Sequence, residues 1–163
     1  MSKFVDAVAK APTEIQQAVR PGKQALKGNH RGKLTCKAER RIAHSLDVDA
    51  ALAISLEHAT ANRWDYGVHY KSTGGREHAL WIEVHPAATG EVRTVIAKLS
   101  WLKAYLREHA SELLALSTEI SKVIPPFVWL ATDSGVHITA NSPEARLLAA
   151  HGMGMPRQAL ILP

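Results

Sequence analysis

The stretch RWDYGVHYKSTGGREHALWIEVH, residues 63 to 85, constrains this chain more than any other. Aromatic and β-branched residues fill 63–71 and 78–85, and STGGRE between them has turn chemistry, so the segment reads as a hairpin. Strand side chains alternate faces. Trp64, Tyr66, Val68 and Tyr70 therefore share one face, with Asp65, Gly67 and His69 on the other. On the second strand Leu80, Ile82 and Val84 oppose Trp81, Glu83 and His85. A turn centred near Gly74 sets Asp65 across from Glu83. Opposed carboxylates repel, and a carboxylate in an apolar strand is costly unless compensated. A divalent cation with hard oxygen ligands, Mg²⁺ or Mn²⁺, answers both problems. The alternative is a solvated sheet face where acids beside His69 and Arg63 need no ligand; Trp81 on that face argues that it is covered.

Around this hairpin the pattern alternates. Residues 36 to 61 read as helical from Ile42, Leu46, Leu52, Leu56 and Ala59. Asp47 and Asp49 are better helix caps than interior residues. After the hairpin, residues 89–120 form the strongest helix pattern, with Val92, Val95, Ile96, Leu99, Leu102, Leu106 and Leu113 as one apolar stripe. PPFVWLA is a buried strand, TDSGVHI a turn into a partner strand, Ser142-Pro143 a helix start, and QALILP a last short strand. The expected fold is α/β, a small mixed β-sheet flanked by helices.

Residues 1–34 read separately, as a basic N-terminal arm or linker before a single α/β domain at 35–163. A short helix begins at Pro12 and stops at Pro21-Gly22. Arg20, Lys23, Lys27, Arg31 and Lys33 then follow without an acidic residue. The net charge of +5 and pI near 9.5 favour a polyanionic partner, nucleic acid above all. One cysteine, Cys36, excludes an internal disulfide and a cysteine-based zinc site. With no apolar run of membrane-spanning length and no secretory h-region, a cytoplasmic compartment is the expectation.

An Asp on one strand, Glu-x-basic on the next and a long helix directly after resemble the PD-(D/E)XK nuclease superfamily. The resemblance spans about residues 36 to 140. It implies a restriction-endonuclease-like α-β-β-β-α-β core, a phosphodiester hydrolase activity and a magnesium (or manganese) ion. Asp65 matches the family's Asp and Glu83 the Glu of its motif, in WIEV; Glu57 matches the helical acid that many members add as a metal ligand. The family's lysine position holds His85, so the motif reads EVH, and WD stands where the family has PD. Only two strands are legible between the helices, where the family has three. Lys98, on the following helix, is the candidate for a migrated lysine.

The expected catalytic set is therefore Asp65, Glu83, His85 and Lys98, with Asp65, Glu83 and Glu57 as metal ligands. Arg63, Lys71 and Arg76 are candidate phosphate contacts. Trp101 and Tyr105 form a stripe with Lys98 that suits base stacking or, alternatively, widens the core contact. The partner expected is DNA or RNA, with no membrane and with a homodimer allowed. The function expected is a metal-dependent nuclease or nuclease-like domain; the alternative is a non-catalytic nucleic-acid- or protein-binding module of the same fold. No H-E-x-x-H helix, phosphate-binding G-x-x-x-x-G-K loop or G-x-S-x-G elbow is present.

Overall fold

The hairpin forms the middle of the main sheet in the computed structural model, which describes all 163 residues. In chain order the elements are α1 (Lys3–Ala9), α2 (Thr13–Ala18), β1 (Val19–Pro21), α3 (Gly28–Arg31), β2 (Leu34–Cys36), β3 (Ile42–Asp47) and α4 (Val48–Ala53). There follow β4 (Tyr66–Lys71), β5 (Glu77–Ala87), α5 (Val92–His109), α6 (Ser111–Ala115), β6 (Phe127–Val136), α7 (Pro143–Ala150) and β7 (Leu160–Leu162). The five-stranded sheet runs β1-β3-β4-β5-β6, antiparallel except for the parallel β5–β6 pair. Strands β2 and β7 make a separate parallel pair. The fold is α/β, a mixed sheet flanked by helices.

The hairpin register runs from Tyr66↔Ile82 and Gly67↔Trp81 to Lys71↔Glu77, which centres the turn on Gly74. Gly75 takes the left-handed conformation at φ 82° that a side chain would resist. Tyr66, Val68, Tyr70, Leu80, Ile82 and Val84 pack into one core beneath β2 and β7. Trp81, Trp129, Phe127 and Leu46 pack on the opposite face, under α1, α2 and α5. Gly67 is required there: a Cβ at this position would lie 2.7 Å from Cζ3 of Trp81. The indole lies across β4 and donates through Nε1 to Ser117 Oγ at 2.8 Å.

Four expectations are corrected. Residues 42–47 are strand β3, not helix, so β3 joins the two hairpin strands as a third antiparallel neighbour directly before α5. The register slips between Ile42 and His44, a bulge that turns Ile42 to the β2–β7 side while Leu46 faces the helices. Apart from a 3-10 turn at Glu39–Arg41, helix is confined to α4, which Asp47 caps by accepting from Ala50 N at 2.8 Å. Leu56 lies beyond α4, fully exposed.

Residues 1–34 are not a free arm. Phe4, Ala7, Val8, Ala11 and Ile15 are buried in the helix-side core, Leu26 is buried in the other, and β1 pairs with β3. Glu77 on β5 ties down the start of α1, accepting from Ser2 Oγ at 2.7 Å and from the backbone N–H groups of Lys3 and Phe4 at 3.0 Å.

The long helix stops at His109, because Ala110 leaves helical geometry (φ −149°, ψ 50°) before α6. Thr132 to Val136 prolong β6 instead of turning into a partner strand. The Ser142 start is as expected, with Ser142 Oγ accepting from Ala145 N. No helix is long and apolar enough to cross a membrane.

Candidate active site

Asp65 immediately precedes β4, Glu83 and His85 stand on β5, and Lys98 lies two turns into α5. One step beyond the Tyr66↔Ile82 pair puts Asp65 across from Glu83 on the face that α5 covers. Asp65 donates its backbone N–H to Glu83 Oε2 at 3.1 Å, and its own Oδ2 accepts from Val84 N at 2.9 Å. The pair is thus locked by main-chain bonds. Lys98 Nζ reaches down from α5 to donate to Glu83 Oε1.

Glu83 is fully buried, Asp65 half-buried. Burial, with the Asp65 charge beside it, pushes the Glu83 carboxyl up to about 8; Lys98 and the Asp65 N–H pull the other way. His85 Nδ1 is 3.6 Å from Glu83 Oε1, while Nε2 contacts Glu91 Oε2 at 2.7 Å. The main chain at His85 is held as well, since Trp129 Nε1 donates to the His85 backbone carbonyl at 2.9 Å. Asp65, Glu83, His85 and Lys98 are therefore brought together, as read from the sequence.

The other predicted residues scatter. Arg63 donates to Asp49 Oδ1 at 2.9 Å and to the carbonyls of Asp49, His58 and Ala59, which occupies its guanidinium as a clamp on the 54–63 loop. Lys71 and Arg76 are exposed at the hairpin turn, six strand residues or about 20 Å from Asp65. Tyr105 is only 4% exposed and Trp101 is half-buried, their rings 5.5 Å apart and both against His58. The Tyr105 face is closed to bases in this arrangement, because core packing has taken it. Glu57 lies on no helix and does not join Asp65 and Glu83. It sits by His58 and by His109, eleven residues along α5 from Lys98, about 16 Å away.

Several residues near these sites escaped the sequence reading. Asp47 and Asp49 come close to Asp65, and burial followed by those two neighbouring charges raises Asp47. The basic run folds beside this acidic rim: His30 Nδ1 is 2.7 Å from the Tyr66 hydroxyl, and Lys27 N donates to the same oxygen. Glu91 gave one signal, its position directly before the apolar stripe of α5. Near Glu57, burial first and then the Glu14 and Glu57 charges push Tyr105 up to about 12. The hydroxyl consequently stays protonated.

Two carboxylates, a lysine and a histidine–carboxylate pair can hold a hard divalent cation and handle a proton beside it. No protein-family model, curated protein or solved structure matches the chain.

Proposed function

We propose that the chain is a metal-dependent nuclease or nuclease-like domain acting on nucleic-acid phosphodiesters. The observation that carries this reading is the meeting of Lys98 with Glu83 beside Asp65, from three separate elements. The succession β3, β4, β5, then α5, then β6 parallel to β5, supports a restriction-endonuclease-like core. It supplies the third strand that the sequence left illegible.

The donor set fits Mg²⁺ or Mn²⁺, since paired carboxylate oxygens suit hard cations and a bound cation would offset the cost of burying Glu83 next to Asp65. Asp65 and Glu83 would hold it, and when bound it supplies Lewis acidity and a more acidic water. Lys98 then stands in the lysine role, its ammonium positioned to orient a nucleophilic water and neutralise charge on the phosphoryl group. His85, fixed by Glu91, accepts the proton. Lys27, close to the acidic rim, and the net charge of +5 supply attraction for a phosphate backbone.

One contact favours a second reading. Lys98 already closes on Glu83, an arrangement that a non-catalytic binding module of the same fold could keep as a buried ion pair. Incubation with single- and double-stranded DNA and RNA distinguishes the two. Cleavage is expected with Mg²⁺ or Mn²⁺, not with EDTA, and lost in Asp65→Asn and Glu83→Gln. No cleavage by the parent or by His85→Lys would overturn the nuclease and leave the binding module.

A further inference from the structure

The Glu57 that fails to join Asp65 and Glu83 belongs to another constellation. His58, in the loop after α4, sets its ring edge-on to the α5 ladder Trp101, Tyr105 and His109, with centroids 5.1 Å from Tyr105 and 5.8 Å from His109. Glu57 Oε2 is 3.7 Å from His58 Nε2, and Glu57 Oε1 is 4.0 Å from His109 Nε2. One ligand atom from each of the three lies within 4.8 Å of the others. Tetrahedral bonds of ~2.0–2.1 Å would set such atoms about 3.4 Å apart, which small side-chain rotations reach. The only other carboxylate so close to His109 Nε2 is Glu108, at 3.8 Å.

A second observation points the same way. His109 Nε2 and the Tyr105 hydroxyl are buried without any hydrogen-bond partner, although buried polar atoms are nearly always paired. Both residues line a cavity of about 130 Å³ together with Glu14, Glu57 and His58. An unpaired imidazole nitrogen facing carboxylates across a small cavity is what a cation would complete. Arg63 braces the loop carrying Glu57 and His58 through the carbonyls of His58 and Ala59, so the ligands are held in advance.

We infer that Glu57, His58 and His109 form a binding site for a Zn²⁺-class cation, with the Glu14 carboxylate within the same cavity as a further donor. Two imidazoles select a borderline transition ion over Mg²⁺, which prefers oxygen ligands. The ion would fasten the 54–63 loop to α5 and to α2. This site is independent of the nuclease reading, because it lies at the opposite end of α5 from Lys98.

The test is calorimetric titration of Zn²⁺ into the full, tag-free chain after EDTA dialysis, with thermal unfolding in parallel. One Zn²⁺ per chain is expected at this site, raising the melting temperature. His58→Ala, His109→Ala and Glu57→Gln should each weaken binding by at least the ~10–100-fold that outer-shell partners alone command. Glu57 is largely exposed, so Glu57→Gln keeps the fold and the readout interpretable. Glu83→Gln should leave Zn²⁺ affinity unchanged. Absence of Zn²⁺ binding to the parent, or binding that survives in both histidine variants, overturns the site.

Discussion

Asp65 and Glu83 are joined by a bond from main chain to side chain, the Asp65 N–H donating to the Glu83 carboxylate Oε2 at 3.1 Å. Their proximity follows directly from the hairpin register and does not depend on side-chain conformation. The carboxylates are thereby brought together on the face that α5 covers, with Glu83 buried and Asp65 half-buried. Stability is given up there, and the first prediction measures it.

Glu83 has a folded pKa near 8 against an ordinary 4.5, because burial and Asp65 disfavour its charge. Between those values the native state keeps a proton that the unfolded chain has released, so stability falls as pH rises through the interval. Glu83→Gln removes that dependence. Its melting temperature should exceed the parent's at pH 8 by more than at pH 5, in metal-free buffer. Parallel pH profiles for the two proteins would show that Lys98 fully compensates the buried charge.

Lys98 separates catalysis from metal holding. Lys98→Ala should cut the cleavage rate by about 10²–10³-fold, the usual loss when a charge-stabilising donor is removed. Mn²⁺ affinity should persist, because Asp65 and Glu83 remain. His85→Ala should likewise slow cleavage, because the proton acceptor beside Glu83 is gone, while Mn²⁺ affinity persists. Single-turnover cleavage with parallel Mn²⁺ titration reads both.

Acid sensitivity should come from β4 and β5. Burial lowers His69 to about 4, leaving it neutral against Phe4 and His44. Although burial opposes ionisation, hydrogen bonds from Phe4, Ser2 and Lys3 hold Glu77 down at about 2. Both folded values lie below the unfolded ones, so stability present at neutral pH is lost on acidification. The loss runs from about 6.5 to 4 for His69 and from about 4.5 to 2 for Glu77. Urea unfolding of Glu77→Gln should show a shallower loss below pH 4.5.

The N-terminal segment should behave as core. Phe4 is 1% exposed and stacks on the His69 ring at 4.4 Å. Phe4→Ala should cost about 3–5 kcal/mol in denaturant unfolding. Deleting residues 1–18 should unfold or aggregate the chain, whereas loss of a mere arm would leave the transition midpoint unmoved.

What the sequence determined by itself was local. Alternation with period two, a Gly-Gly turn and apolar spacing along α5 are carried by neighbouring residues. They were enough to bring Asp65 opposite Glu83, with His85 beside it and Lys98 on the next helix. Spacing alone could not identify β3, because a bulge turned Ile42 and Leu46 to opposite faces while their four-residue separation imitated a helix. Tertiary structure also decided the place of residues 1–34. A basic run with few apolar residues has no visible destination until β3 and Tyr66 are there to receive it. Glu57, His58 and His109 show the same limit, since a loop and the far end of α5 meet only when the chain closes over the sheet. Contacts between residues fifty positions apart are decided by packing, which no local period encodes.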